Sequence, residues 1–161
     1  MKNITPRMLR AILSYDAITG EFKWIVTRHG TKLNKHAGTD NYGYISIRIN
    51  GQNYFAHRLA WLWMTGRWPI HELDHINGHR SDNRWCNLRE ATRSCNAQNQ
   101  RRPHKRNKVG YLGVYKLRKG FGAAIGLKGQ KRLYLGPFNK AIEAHKAYLK
   151  AKRILHPHWV E

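Results

Sequence analysis

An alternating strand–turn–strand segment restricts the fold of this 161-residue chain more than any other feature. Within residues 44–49 three polar side chains alternate with three isoleucines, which is the two-residue period of a half-buried strand. Asn50 and Gly51 follow, and this pair favours a tight turn in which both central residues have positive φ. Residues 43–57 therefore predict an antiparallel hairpin, and the next residues predict a helix that ends at Gly66.

Shorter elements are predicted on both sides of this hairpin. Thr5 can cap a helix that starts at Pro6 and runs through residues 5–16. The remaining segments are a strand at 19–26, a loop at 28–41, three glycine-bounded strands at 114–118, 121–127 and 131–135, and a final helix at 139–155 capped by Asn139. The sequence therefore predicts an α+β fold whose last third is a three-stranded antiparallel sheet packed on one helix.

The net charge points to a polyanionic partner. Thirty Lys and Arg residues against nine Asp and Glu give a formal charge of +21, of which residues 101–161 carry +14 (16 basic against 2 acidic). A folded chain this basic favours DNA or RNA, with an anionic membrane surface as the weaker alternative. No apolar run approaches the roughly 18 residues of a membrane span. The absence of a signal-peptide pattern and the presence of two cysteines, Cys86 and Cys95, favour a cytoplasmic location.

The nearly neutral segment 72–100 carries the residues suited to catalysis. Asp74 and His75 precede a polar turn, Asn87 follows twelve residues after His75, and Asn96 opens a short helix nine residues later. Hydrolysis of a phosphodiester needs a hard divalent cation, which oxygen ligands such as Asp74 and Asn96 can hold. It also needs a base that works near neutral pH, as histidine does. Asn87 can tie the loop that orients this histidine.

This segment resembles the HNH (ββα-metal) nuclease motif of phage and intron-encoded homing endonucleases. The matching stretches are Asp74–Gly78, Asp82–Arg84, Asn87–Arg89 and Thr92–Asn99. The resemblance implies that His75 is the general base, Asn87 the loop-organising asparagine, and Asp74 and Asn96 the metal ligands. An asparagine at the last position favours Mg²⁺, for which Mn²⁺ can substitute, and the missing cysteine pairs mean that no structural zinc is expected.

Residues 110–158 resemble the AP2/ERF DNA-binding domain. The resemblance rests on Gly113-Val114, the Ala-Ala-Ile run at 123–125, the Leu-Gly-Pro-Phe run at 135–138 and the alanine-rich helix. It implies that one face of the sheet enters the major groove of double-stranded DNA. Gly122 departs from the family pattern, since many relatives carry a tryptophan near this position.

Basic residues along the chain are candidates for DNA contact. They are Arg58, Arg84, Arg93, Arg101, Arg102, Lys105, Arg106, Lys116, Arg118, Lys119, Lys128, Lys131 and Arg132. For Arg84, Arg89 and Arg93, phosphate binding and salt bridges to Asp82 or Glu90 are equally consistent with the sequence. His57 and Arg58 are open between a functional role and helix capping or packing. Asn77, Gly78, Asp82 and Asn83 are interpreted mainly as turn residues.

The sequence thus predicts four segments with separate tasks. They are an α/β extension at 1–71, the catalytic motif at 72–100, a basic linker at 101–109 and the DNA-binding domain at 110–161. The expected function is metal-dependent cleavage of double-stranded DNA by a phage-encoded or homing-type enzyme, acting in the host cytoplasm as a monomer or weak homodimer. The alternatives are a DNA-binding module without catalysis and an RNA-associated basic protein.

Overall fold

The computed structural model describes residues 4–27, 32–127, 129–157 and 159, and the chain divides into two compact units. The first unit, Met1–Arg93, contains α1 (Pro6–Ile12), β1 (Leu13–Tyr15), β2 (Phe22–Trp24), β3 (Thr39–Asn41), β4 (Tyr44–Ile49), β5 (Gln52–Phe55), α2 (Ala56–Thr65), β6 (Glu72–His75) and β7 (Leu88–Ala91). The second unit, Ser94–Glu161, contains most of α3 (Arg93–Gln98), then β8 (Val114–Lys116), β9 (Phe121–Ile125), β10 (Leu133–Phe138) and α4 (Ala141–Leu155). The expected mixed α+β class is confirmed.

The central hairpin forms where the alternation predicts it. Strand β4 pairs antiparallel with β5, and Asn50 and Gly51 adopt positive φ angles of 50° and 82° between them. Ile47 and Ile49 are buried while Arg48 is exposed. Strand β3 pairs with the other edge of β4 inside the segment predicted to be a loop. The loop prediction failed there because β3 is three exposed residues long and has no alternating pattern.

The first helix is shorter than predicted. The Thr5 side chain accepts a hydrogen bond from the backbone N–H of Met8 and caps it as expected, but α1 ends at Ile12. The next residues pair with β2 instead, with Leu13 opposite Trp24. Leu13 is fully buried in this strand, and its apolar side chain would suit a buried helix position equally well, so its character alone could not decide between helix and strand.

Helix α2 supplies the apolar face on which the first unit is built. Leu59 and Leu62 pack with Leu9 of α1 and Ile47 of β4 in one buried cluster. Gly66 ends the helix in the left-handed conformation, as predicted. The chain then turns into the β6–β7 hairpin, which carries the candidate catalytic residues.

The second unit is an antiparallel meander covered by one helix. Its strand order is β10-β9-β8, and α4 packs on it through Ala144 and Tyr148. A Cβ on Gly113 would lie 2.2 Å from the Tyr148 ring, so only glycine fits at this approach. The helix is capped by Lys140 rather than by Asn139, because the backbone N–H of Lys140 donates to the Glu143 carboxylate. The Asn139 prediction was therefore wrong by one residue.

Lys152 of α4 has an unusual environment for a lysine. It is 1 % exposed, its ammonium group donates to the backbone carbonyl of Gln100, and the rings of Tyr148 and Trp159 lie 5.8 and 5.0 Å from Nζ. Burial lowers the pKa of this ammonium to about 8. Lys152 thereby holds the residues that precede the basic 101–109 segment against α4.

None of the helices among the described residues has the length and apolarity needed to cross a bilayer.

Candidate active site

The β6–β7 hairpin places Asp74 and His75 side by side at the end of a strand. In its register Asp74 lies opposite Arg89, and His75 lies opposite Leu88. Both polar side chains are buried, with 6 % and 5 % of their surface exposed. Buried polar groups of this kind need bonded partners, and the hairpin and its loop supply them.

Arg89 is the partner of Asp74. Its guanidinium Nε and Nη2 donate to Oδ2 of Asp74 at 3.0 and 2.7 Å. The sequence left Arg89 open between phosphate binding and a salt bridge to Asp82 or Glu90, and the structure shows a third arrangement. Arg89 pairs with Asp74 because the two residues lie directly opposite each other on the paired strands β6 and β7.

Asp82 and Glu90, two further acidic residues of this segment, each pair with an arginine. Arg84 donates to Asp82 through Nε at 2.8 Å and Nη2 at 2.6 Å, and this bonding lowers the pKa of Asp82 to about 2. Arg67 lies 3.3 Å from Glu90. For Arg84 the salt-bridge alternative is thus the one seen in the structure.

Asn87 ties the loop between the two strands together. Its Oδ1 accepts from the backbone N–H of Asn77 at 2.9 Å, and its Nδ2 donates to the carbonyl of Asp82 at 2.8 Å. The side-chain Nδ2 of Asn77 also donates to the Asp82 carboxylate at 2.6 Å. One buried asparagine therefore joins both ends of the loop that follows His75.

Asn83 is the loop residue that contacts the candidate base. Its Oδ1 lies 3.4 Å from Nε2 of His75, and its Nδ2 donates to the carbonyl of Ser81 at 3.2 Å. Asn83 is 3 % exposed. From the sequence Asn83 is expected to be a turn residue, and the asparagine-rich pattern of the loop gives no signal to single it out.

The rings of His57 and Tyr44 lie next to the ring of His75. The His57 ring meets it edge-on with centroids 5.1 Å apart, and the Tyr44 ring lies 6.1 Å away. Burial lowers the pKa of His75 and lowers that of His57 to about 3, so burial favours the neutral form of both rings. Nδ1 of His57 is buried and has no hydrogen-bond partner among the described residues. The His57 ring is thus packed beside the ring of the candidate base.

Arg80 is a basic residue near the site that the sequence analysis did not select. Its guanidinium lies 5.0 Å from the centre of the Tyr44 ring, the ring that also neighbours His75. Its positive charge contributes to the lowered pKa of His75. The sequence offers no pattern that separates Arg80 from the other arginines of this loop.

The remaining predicted site residues are spread over both units. Asn96 lies in α3, half-buried, in the second unit, and Arg58 lies in α2 with its guanidinium 5.8 Å from the Trp68 ring. Arg101 is half-buried, and the exposed basic residues are Arg84, Arg93, Arg102, Lys105, Arg106, Lys116, Arg118, Lys119, Lys131 and Arg132. Lys128 lies outside the described residues.

The donor set at the hairpin fits a hard, oxygen-binding cation. Among the described residues no three His, Cys, Asp or Glu side chains converge into a metal-binding cluster. A site at Asp74 would combine one carboxylate with amide, water and phosphate oxygens, which is how Mg²⁺ is commonly held. Arg89 donates to Oδ2 of that carboxylate through Nε and Nη2 and so fixes its direction.

Comparison with known families finds a match that spans the β6–β7 hairpin. Residues 54–98 match a family model described as HNH endonuclease. The matched span runs from β5 to α3 and includes Asp74, His75, Asn87 and Asn96. No curated protein and no solved structure matches the chain. The match supports a nuclease that acts on DNA, and it covers less than a third of the chain.

Proposed function

We propose that the protein hydrolyses phosphodiester bonds in double-stranded DNA, with His75 as the general base. The observation that carries the proposal is a buried histidine next to a buried, ion-paired aspartate, inside the segment that matches the HNH endonuclease model. A neutral histidine ring can accept a proton from water near neutral pH. Its lowered pKa favours that neutral form.

Different residues of the chain have separate roles in such a reaction. His75 takes the proton of the attacking water, and Asn87 keeps the following loop in place through its bonds to Asn77 and Asp82. Asp74 would hold a divalent cation, the role that the resemblance implies for it. When bound, such an ion stabilises the negative charge that develops on the phosphate and on the leaving oxygen.

The second unit is proposed to hold the DNA. Its sheet and the turns beside it expose Lys116, Arg118, Lys131 and Arg132. Basic side chains on an exposed sheet suit the phosphate backbone, and an antiparallel ribbon fits the major groove. The sequence resemblance of residues 110–158 to the AP2/ERF domain supports this use of the sheet, as does the +14 net charge of residues 101–161.

The test measures cleavage and binding on the same substrates. Wild type and His75→Ala are incubated with duplex DNA and with single-stranded RNA at equal salt. The proposal predicts tighter binding to duplex DNA, cleavage by wild type, and a His75→Ala variant that binds but does not cut. Preference for RNA would favour an RNA-associated protein, and equal cleavage by both proteins would remove His75 from its role.

A further inference from the structure

The turn between β1 and β2 lies against the loop that carries Asn83, although it is far away in sequence and outside the segment that matches the family model. The Tyr15 hydroxyl donates to the backbone carbonyl of Asn83 at 2.7 Å. The backbone N–H of Trp85 donates to the carbonyl of Ala17 at 3.0 Å. Two hydrogen bonds thus hold residues 83–85 on both sides of Arg84.

Gly20 makes this approach possible. A Cβ at Gly20 would lie 2.4 Å from the backbone N of Arg84 and 2.5 Å from the carbonyl carbon of Asn83. The φ of Gly20 is +78°, a conformation that side-chain-bearing residues rarely adopt. The backbone of the turn and the backbone of the loop are therefore in direct contact, and neither can shift without the other.

The Asn83 side chain has one orientation in this setting. Its Nδ2 is directed to the carbonyl of Ser81, so its Oδ1 faces Nε2 of His75. A carbonyl oxygen only accepts, so this contact is a hydrogen bond when the ring proton of a neutral His75 is on Nε2. Nδ1 is then the deprotonated nitrogen that accepts a proton.

We propose that the β1–β2 hairpin is a positioning element of the active site: Tyr15 of β1 and Gly20 of the turn fix Asn83, and Asn83 fixes the tautomer and the orientation of His75. The inference rests on the proposed function, in which His75 is the base. Tyr15 suits this task because its ring packs on Phe22 and Trp63, with centroids 4.7 and 6.4 Å away, so its hydroxyl is held by the core of the first unit.

The test uses the full-length protein and two measurements. The ring nitrogens of His75 are observed by ¹⁵N NMR without metal or DNA, at a pH where the ring is neutral, and its signals are assigned by their loss in His75→Gln. DNA cleavage gives kcat and KM separately. The variants are Tyr15→Phe, which keeps the ring, Asn83→Leu, which removes the acceptor, and Asn83→Asp, which retains one. Tyr54→Phe is the control, since it removes a hydroxyl bonded to Gln52 at 2.9 Å instead.

The proposal predicts a proton on Nε2 of His75 in the wild type and in Asn83→Asp. In Tyr15→Phe and Asn83→Leu the neutral ring becomes a mixture of tautomers, and kcat falls about 10- to 100-fold, the usual loss on removing an outer-shell partner, at unchanged KM. Tyr54→Phe behaves as wild type. A proton on Nδ1 in the wild type, or a Tyr15→Phe variant with wild-type tautomer and kcat, overturns the inference. A protein with the expected tautomer response that cleaves no DNA supports the contact and contradicts the proposed function.

Discussion

Arg89 and Asp74 face each other across the β6–β7 hairpin. The Nε and Nη2 atoms of Arg89 both donate to Oδ2 of Asp74, at 3.0 and 2.7 Å. The Asp74 side chain is 7 % exposed and that of Arg89 is 24 % exposed. Water therefore screens this pair far less than it screens the surface pairs of the chain. The pair sets the direction of the Asp74 carboxylate.

Arg89→Met is expected to destabilise the protein by about 3 kcal/mol, because it removes the cation that compensates a buried carboxylate. The control is Arg67→Met, which breaks the more exposed pair with Glu90 and should cost less than about 1 kcal/mol. Urea unfolding of the metal-free proteins measures both values. Equal losses of unfolding free energy in the two variants would show that the Arg89–Asp74 pair contributes no more to stability than the exposed Arg67–Glu90 pair.

Asn87→Ala is expected to lower the free energy of unfolding by about 2 kcal/mol, since it leaves the backbone N–H of Asn77 and the carbonyl of Asp82 without their bonds to this side chain. Cleavage should fall with it, because the loop also carries Asn83. Asn53→Ala, at an exposed position of β5, is the matched control for loss of an asparagine. An Asn87→Ala variant as stable and as active as that control would contradict the loop-organising role.

His57 is expected to make the protein sensitive to acid. Its pKa in the folded state is about 3, lowered by burial and by the neighbouring His75 and Arg58, while an unfolded histidine titrates near 6.5. The unfolded chain therefore binds a proton between these values that the folded chain does not, so stability falls as the pH drops from 6.5 towards 3. The upper limit of this effect is about 5 kcal/mol.

His57→Phe removes this proton uptake and keeps a ring beside Phe55 and Tyr44. We expect its unfolding free energy to decline less steeply with acid than that of wild type, and urea unfolding over a pH series measures the two slopes. His75 remains in both proteins, so its own titration cancels in the comparison. Parallel curves would show that His57 does not stay neutral in the folded protein.

The exposed sheet of the second unit is expected to contribute to DNA affinity through phosphate contacts. Replacing Lys116 or Arg118 by Gln should weaken binding and reduce the dependence of log K on log salt by about 0.9 for each lost contact. Lys150→Gln, an exposed lysine on α4, is the control of equal charge change. Binding measured over a salt series should distinguish them. Equal slopes for all three variants would place DNA contact elsewhere.

Local patterns predicted much of the fold and part of the site. The β4–β5 hairpin and the caps at Thr5 and Gly66 follow from residues next to one another in the chain. Asp74 and His75 could be selected because their chemistry and spacing are distinctive. Asn83 could not, since what separates it from the other loop asparagines is its contact with His75 and a hydrogen bond from Tyr15, 68 residues away.

The partner of Arg89 was missed for a related reason. The acidic residues near Arg89 in the chain were its expected partners, but strand pairing places it opposite a residue fifteen positions earlier. The β1 strand was missed because Leu13 suits a buried helix position and a buried strand position equally well. In each case the deciding information lies in the tertiary pairing.

The most direct test of the account is conversion of supercoiled plasmid DNA into nicked or linear forms. Wild type, His75→Ala and His79→Ala, an exposed histidine of the same loop, are compared with Mg²⁺, with Mn²⁺ and with EDTA. The account predicts cutting by wild type and His79→Ala in either metal, none in EDTA, and none by His75→Ala although it binds the plasmid. Cutting by His75→Ala at the wild-type rate, or cutting that EDTA leaves unchanged, would contradict it.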